Sequence, residues 1–160
     1  MATTDTFEGA KNGFTFFFAY LNTVGQDIGM ERAVALETRV CEKIGSTVGK
    51  AINQQAGVDE IDARIAAPLT GCSIEEGLGV HFELMQVGAK KSTSKIGRCP
   101  LYEAAQELGM DGATTETICR AGAIRYMDTM VKQFNLHLSY QLRKFRSSAE
   151  SSCIEEVMLS

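Results

Sequence analysis

The chain has 160 residues, 44% of them hydrophobic and 22% charged, with a formal net charge of −4 and a pI of about 5.2. That length suits one domain with a sizeable core, and the acidic balance excludes the basic footprint that nucleic acid requires. No apolar run approaches the ~18 residues of a spanning helix, so no membrane partner is expected. Five widely spread cysteines fit reduced thiols in a cytoplasmic setting better than a disulfide framework.

The opening MATTDTFEG has neither the basic nor the apolar region of a signal peptide. Residues 6–28 read as a helix, because Phe7, Ala10, Phe14, Phe17, Leu21, Val24 and Ile28 alternate steps of three and four. Phe16, Phe18 and Tyr20 widen that face into an aromatic band. Two readings follow: a helix buried on more than one side, or a homodimer seam or ligand-pocket wall. Gly29 closes the helix. A second helix over 31–56 carries Ala33, Leu36, Val40, Ile44, Val48 and Ile52 on its expected core face, with Cys41 near it. Gly45 and Gly49 make a notch for close helix packing, at a cost of about 1 kcal/mol each in propensity. Residues 59–67 suggest a short helix, Pro68 to Gly71 a turn, and Ser73 the cap of a further short turn, with Cys72 in the loop.

At Val80 the period changes to two. Val80, Phe82 and Leu84 alternate with His81 and Glu83, predicting a strand that pairs with 92–98 as an antiparallel hairpin. Pro100 is placed at a first helical position with Cys99 at the cap, and that helix ends by Gly109. Thr114 or Thr115 caps the next helix, which runs to Phe134 with Ile118, Met127, Met130 and Val131 inward. Period two returns at Leu136, Leu138, Tyr140 and Leu142, and 153–159 forms a last strand. The predicted fold class is α+β: a helical part over 1–77, then a hairpin–helix–helix–hairpin core over 78–160 within one domain.

The thiols are the candidate chemistry. A thiol at a helix start is acidified by unpaired N–H groups, and this reasoning covers Cys99 beside Arg98 and Cys119 beside Arg120. Cys153 shares a strand face with Val157 and Glu155, and a carboxyl on a core face has a raised pKa suited to acid–base work. The alternative is a frayed strand end with both Glu155 and Glu156 solvated. Cys99, Cys119 and Cys153 are also the candidate ligands of zinc or another metal, with Cys72, His81 or a carboxylate as the fourth. No phosphate loop, nucleophile elbow or dinucleotide fingerprint is present.

The segments GRCPLYEAAQELG, TICRAGAIRYMDTM and SSCIEEV together resemble the L-2-amino-thiazoline-4-carboxylic acid hydrolase-like family over residues 78–160. More distantly they are similar to vinyl-reductase-type small-molecule-binding domains. The resemblance implies an α+β domain with an apolar pocket and a hydrolase opening a cyclic thiazoline-type substrate. Cys119 or Cys99 would then be the nucleophile and Glu155 the general base, with Arg98, Arg120, Tyr102 and Tyr126 contacting the substrate. The alternative function is a non-catalytic small-molecule-binding module that dimerises through helix 6–28.

Overall fold

The structure is a computed structural model, and it describes residues 4–160; Met1–Thr3, part of the stretch read for a signal peptide, lie outside the described residues. Two long helices open the chain, α1 (Thr4–Ile28) and α2 (Met30–Ala56), followed by α3 (Ala63–Leu78). A hairpin of β1 (Phe82–Gln86) and β2 (Lys91–Ile96) leads to α4 (Pro100–Glu107), α5 (Gly112–Ala121) and α6 (Ala123–Lys132). A second hairpin, β3 (Leu138–Lys144) and β4 (Cys153–Leu159), ends the chain. The strands form one antiparallel sheet in the order β1-β2-β4-β3, so the last strand is central. This is the expected α+β layout. One contiguous core draws on both halves, from Phe7, Phe18 and Ala33 to Met130, Leu138 and Val157. No helix among the described residues is long and apolar enough to cross a membrane.

The two helical glycines do what their spacing predicts. A Cβ at Gly45 would strike the backbone carbonyl of Tyr126, and one at Gly49 would strike that of Met130. The α2 and α6 backbones therefore approach where no side chain intervenes. This contact rotates α2 away from its expected orientation. Its buried residues are Ala33, Glu37, Gly45 and Gly49, whereas Leu36, Val40 and Ile44 face solvent. Small residues, not the aliphatic stripe, mark the inward side.

Three further expectations change. Asp62 caps a single helix, accepting from the N–H of Arg64 and Ile65, and that helix runs through Pro68 without a turn. The N–H that Pro68 lacks would have served the Arg64 carbonyl, and both residues are exposed, so water can take its place. Cys72 consequently sits in α3 and is exposed, with its thiol against Glu76. The helix expected from Thr114 to Phe134 begins earlier, because Asp111 accepts from the N–H of Thr114, and it breaks at Gly122. At that break the Glu37 carboxyl of α2 presses where a Cβ of residue 122 would lie. Leu84 and Leu136 are exposed: β1 is an edge strand with a bulge between Leu84 and Gln86, and Leu136 lies in the turn before β3.

Candidate functional site

The register of the sheet assembles the site. Ile96 pairs with Cys153, while Ser94 and Leu142 flank Glu155, and Ser92 and Tyr140 flank Val157. Partners directly opposite one another share a face. All these residues are buried, so this is the face covered by helices. The opposite face carries Glu156, which is also buried but is held by Lys91 at 3.0 Å and by Arg143 at 3.3 Å. The two neighbouring glutamates thus have different chemistry. One is ion-paired, and the other enters the core.

Glu155 accepts a hydrogen bond from the Tyr140 hydroxyl. Burial pushes its carboxyl up from 4.5 to about 7, with the Tyr140 hydrogen bond and the Arg146 charge pulling the other way. The same burial, with Glu155 beside it, drives the Tyr140 phenol well above its ordinary value. The expectation of a carboxylate on a core face is met at Glu155, and the frayed-end alternative is not what the strand shows.

The three thiols converge on this pair but are not activated. Cys99 caps α4 ahead of Pro100, as predicted. Burial nevertheless pushes its thiol up to about 11, outweighing the N–H of Tyr102 and the charge of Arg146. Cys119 does not start a helix. With α5 beginning at Gly112 and ending at Ala121, it lies in the last turn, remote from the unpaired N–H groups. Burial raises it well above the usual thiol range, and Cys99, Glu155 and Cys153 add to the effect. Burial also raises Cys153, against the pull of Arg146. A neutral thiol is a poor nucleophile as it stands. Among the described residues, no group of three or more His, Cys, Asp or Glu side chains is arranged to hold a metal ion. The zinc set expected from Cys99, Cys119 and Cys153 therefore does not fit.

The arginines expected at the site are elsewhere. Arg98 is exposed, forms a bidentate pair with Glu103 at 2.9 and 2.8 Å, and lies over the Phe7 ring at 4.4 Å. It borders a 420 Å³ surface cleft shared with Glu103, Glu107 and Glu150, whose carboxylates oppose a substrate anion. Arg120 is exposed and pairs with Glu116 at 2.7 Å while donating to the Leu142 carbonyl at 3.1 Å. Tyr126 belongs to the α2–α6 seam, near Ser73 and Cys41.

Arg146 is the residue that sequence reasoning missed. It stands in RKFR, which reads as a solvated strand end, yet it is only 2% exposed. Its guanidinium donates to the carbonyls of Ile96 and Gly97 and lies 5.6 Å from the ring centre of Tyr102. Tyr102 is thus an expected substrate contact that borders the cluster, as Arg120 does from outside through the Leu142 carbonyl. The Arg146 Nε is buried with no hydrogen-bond partner among the described residues. No sequence signal marked it; the neighbouring Phe145 also packs against Tyr102, with ring centres 5.9 Å apart. The site as built is a buried guanidinium with one free donor, a carboxyl at about 7 with its phenol, and three neutral thiols. No protein-family model and no curated protein sequence matches the chain.

Proposed function

We propose that the protein is a non-catalytic small-molecule-binding module of regulatory type, whose ligand carries an anionic group received by Arg146. The observation that carries this reading is the orphaned Arg146 Nε inside the core. A buried guanidinium stays charged, and leaving one of its donors unmet is costly. A small carboxylate beside Nε would satisfy the donor and supply a counter-charge that a half-protonated Glu155 gives only in part. The raised pKa values of the three thiols, with Cys119 and Cys153 buried and Cys99 half-buried, support binding over thiol catalysis. Self-association in this reading would use the outer face of α1, where Phe16 and Tyr20 are exposed.

The test is thermal denaturation against a panel of small heterocyclic carboxylates, including thiazoline and thiazolidine acids. A binder at a hundredfold its Kd raises Tm by roughly 5–10 °C. Arg146→Lys keeps the charge but loses Nε, so its shift should vanish while its circular dichroism spectrum is unchanged. A panel with no binder, or a shift that survives in the lysine variant, refutes the reading.

A second reading rests on Glu155 alone. A carboxyl at about 7 is tuned for proton transfer at neutral pH. In hydrolytic ring opening, its carboxylate form would take a proton from the attacking water as the new C–O bond forms. It would return that proton to the ring nitrogen as the C=N π bond opens, and the new hydroxyl's proton would then pass through it to the ring sulfur as the C–S bond breaks and the carbonyl forms. Turnover of a cyclic thiazoline carboxylate, lost in Glu155→Gln and kept in Cys119→Ala, would establish this reading over the first.

A further inference from the structure

The outward face of α2 has a pattern that neither the core nor the buried cluster uses. Arg32, Arg39, Lys43 and Lys50 are all exposed, and at 3.6 residues per turn their spacing of seven, four and seven places them within roughly 40° of one line. The line runs about 27 Å along the helix, opposite the face that α6 covers. None of the four forms an ion pair among the described residues. The carboxylates of α2 are placed away from them. Glu37 is buried, Glu42 is turned to Arg125, and Glu31 is confined to the first turn. Alongside the cations runs a second row, Leu36, Val40 and Ile44, with Val40 56% and Ile44 50% exposed. At the start of the helix the two rows meet in a cleft of about 550 Å³, where Arg32 and Arg39 flank Ile28, Ala35 and Leu36.

We propose that this face of α2 docks on an anionic lipid bilayer, its cations at the phosphate level and its aliphatic row in the upper acyl region. This is attachment to a surface, distinct from spanning. Cations and aliphatics side by side on one outward face are what an interfacial helix presents, since Lys and Arg stems reach up to headgroups while their neighbours insert. A second copy is a poor occupant, because antiparallel α2–α2 packing would set one cation row against the other. Nucleic acid would leave the aliphatic row without a partner. The acidic remainder of the chain does not prevent attachment. At physiological salt the Debye length is about 8 Å, less than one helix diameter, so carboxylates behind α2 are screened from the bilayer.

The experiment is flotation of the full chain with phosphatidylcholine vesicles, with and without about one third phosphatidylglycerol. Binding is expected only with the anionic lipid and should fall as salt is raised. Each cation near the surface contributes about fivefold to partitioning, so Arg39→Gln with Lys43→Gln should lose roughly 25-fold. Val40→Ser with Ile44→Ser should also weaken binding, and all four positions are exposed enough for the fold to persist, which circular dichroism checks. The proposal is overturned by absence of flotation with anionic vesicles or by equal binding to neutral ones. It is also overturned by a dimer that the Val40 and Ile44 changes dissolve, or by retention on polyglutamate without flotation, which would assign the face to an acidic protein.

Discussion

Replacing Glu155 with glutamine isolates the energetic consequence of placing a carboxyl in the core. Glutamine has the same shape and can still accept from the Tyr140 hydroxyl. Only the ionisation is lost. The Glu155 carboxyl rises from 4.5 to about 7 on folding, so the folded chain holds its proton more tightly than the unfolded chain. The corresponding stability is fully present below 4.5 and is lost as pH rises through 7. At 1.36 kcal/mol per unit, the loss between pH 5 and pH 8 is roughly 2–3 kcal/mol. Glu37, pushed by burial to about 7 as well, contributes a loss of the same sign, but it is common to both proteins and cancels in the difference. Urea unfolding at pH 5, 6, 7 and 8 is the assay. Glutamine should be close to neutral at pH 5 and should exceed the wild type by the stated amount at pH 8. A difference that does not change with pH would refute the reasoning, because it would mean that the end of β4 is solvated and Glu155 is an ordinary surface carboxylate.

The same titration tests the phenol: Tyr140→Phe removes the hydrogen bond that pulls the Glu155 pKa down, so the fall in stability should begin at the same pH and extend to higher pH, with about 1–3 kcal/mol lost overall. In native protein a thiol reagent should modify Cys72 promptly and Cys119 and Cys153 only at the rate of opening, because the first is exposed and the others are buried; prompt labelling of Cys119 would contradict the sealed cluster. Gly45→Ala should lower stability by about 1–3 kcal/mol despite the better helix propensity, because its Cβ meets the Tyr126 carbonyl. Gly9→Ala, which meets nothing within 4 Å among the described residues, is the control and should be neutral or stabilising in the same denaturation assay.

The elements were largely legible because each announces itself locally. The change of period at Val80, the Cys99-Pro100 start and the alternation at Leu138, Tyr140 and Leu142 all correspond to observed elements. What failed is what depends on a neighbour. The aliphatic row of α2 is as periodic as a core face, and only the approach of α6 over Gly45 and Gly49 decides that it faces out. Gly122 reads as one more small residue on an amphipathic helix, yet the Glu37 carboxyl, distant in sequence, sits at the break between α5 and α6. Asp111 outcompeted Thr114 and Thr115 as the cap, and together with the break at Gly122 this moved Cys119 from the start of a helix to its end.

That shift decides the chemistry of the site. The expectation of a reactive thiol rested on helix-start N–H groups, and these exist only at Cys99. Even there they lose to burial, which leaves the thiol at about 11. Alternation alone placed Glu155 on the inward face, and the paired register with Ser94 and Leu142 keeps it there. Arg146 was beyond local reading because, apart from the Ala149 carbonyl, the groups that hold its guanidinium inside, the carbonyls of Ile96 and Gly97 and the ring of Tyr102, come from segments more than forty residues away. Those carbonyls hold the guanidinium inside, and the charge they import partly offsets the rise of the Cys99, Cys153 and Glu155 pKa values. The cluster is therefore organised around a cation with a spare donor, and it is that donor, not thiol nucleophilicity, on which the proposal of a bound anion rests.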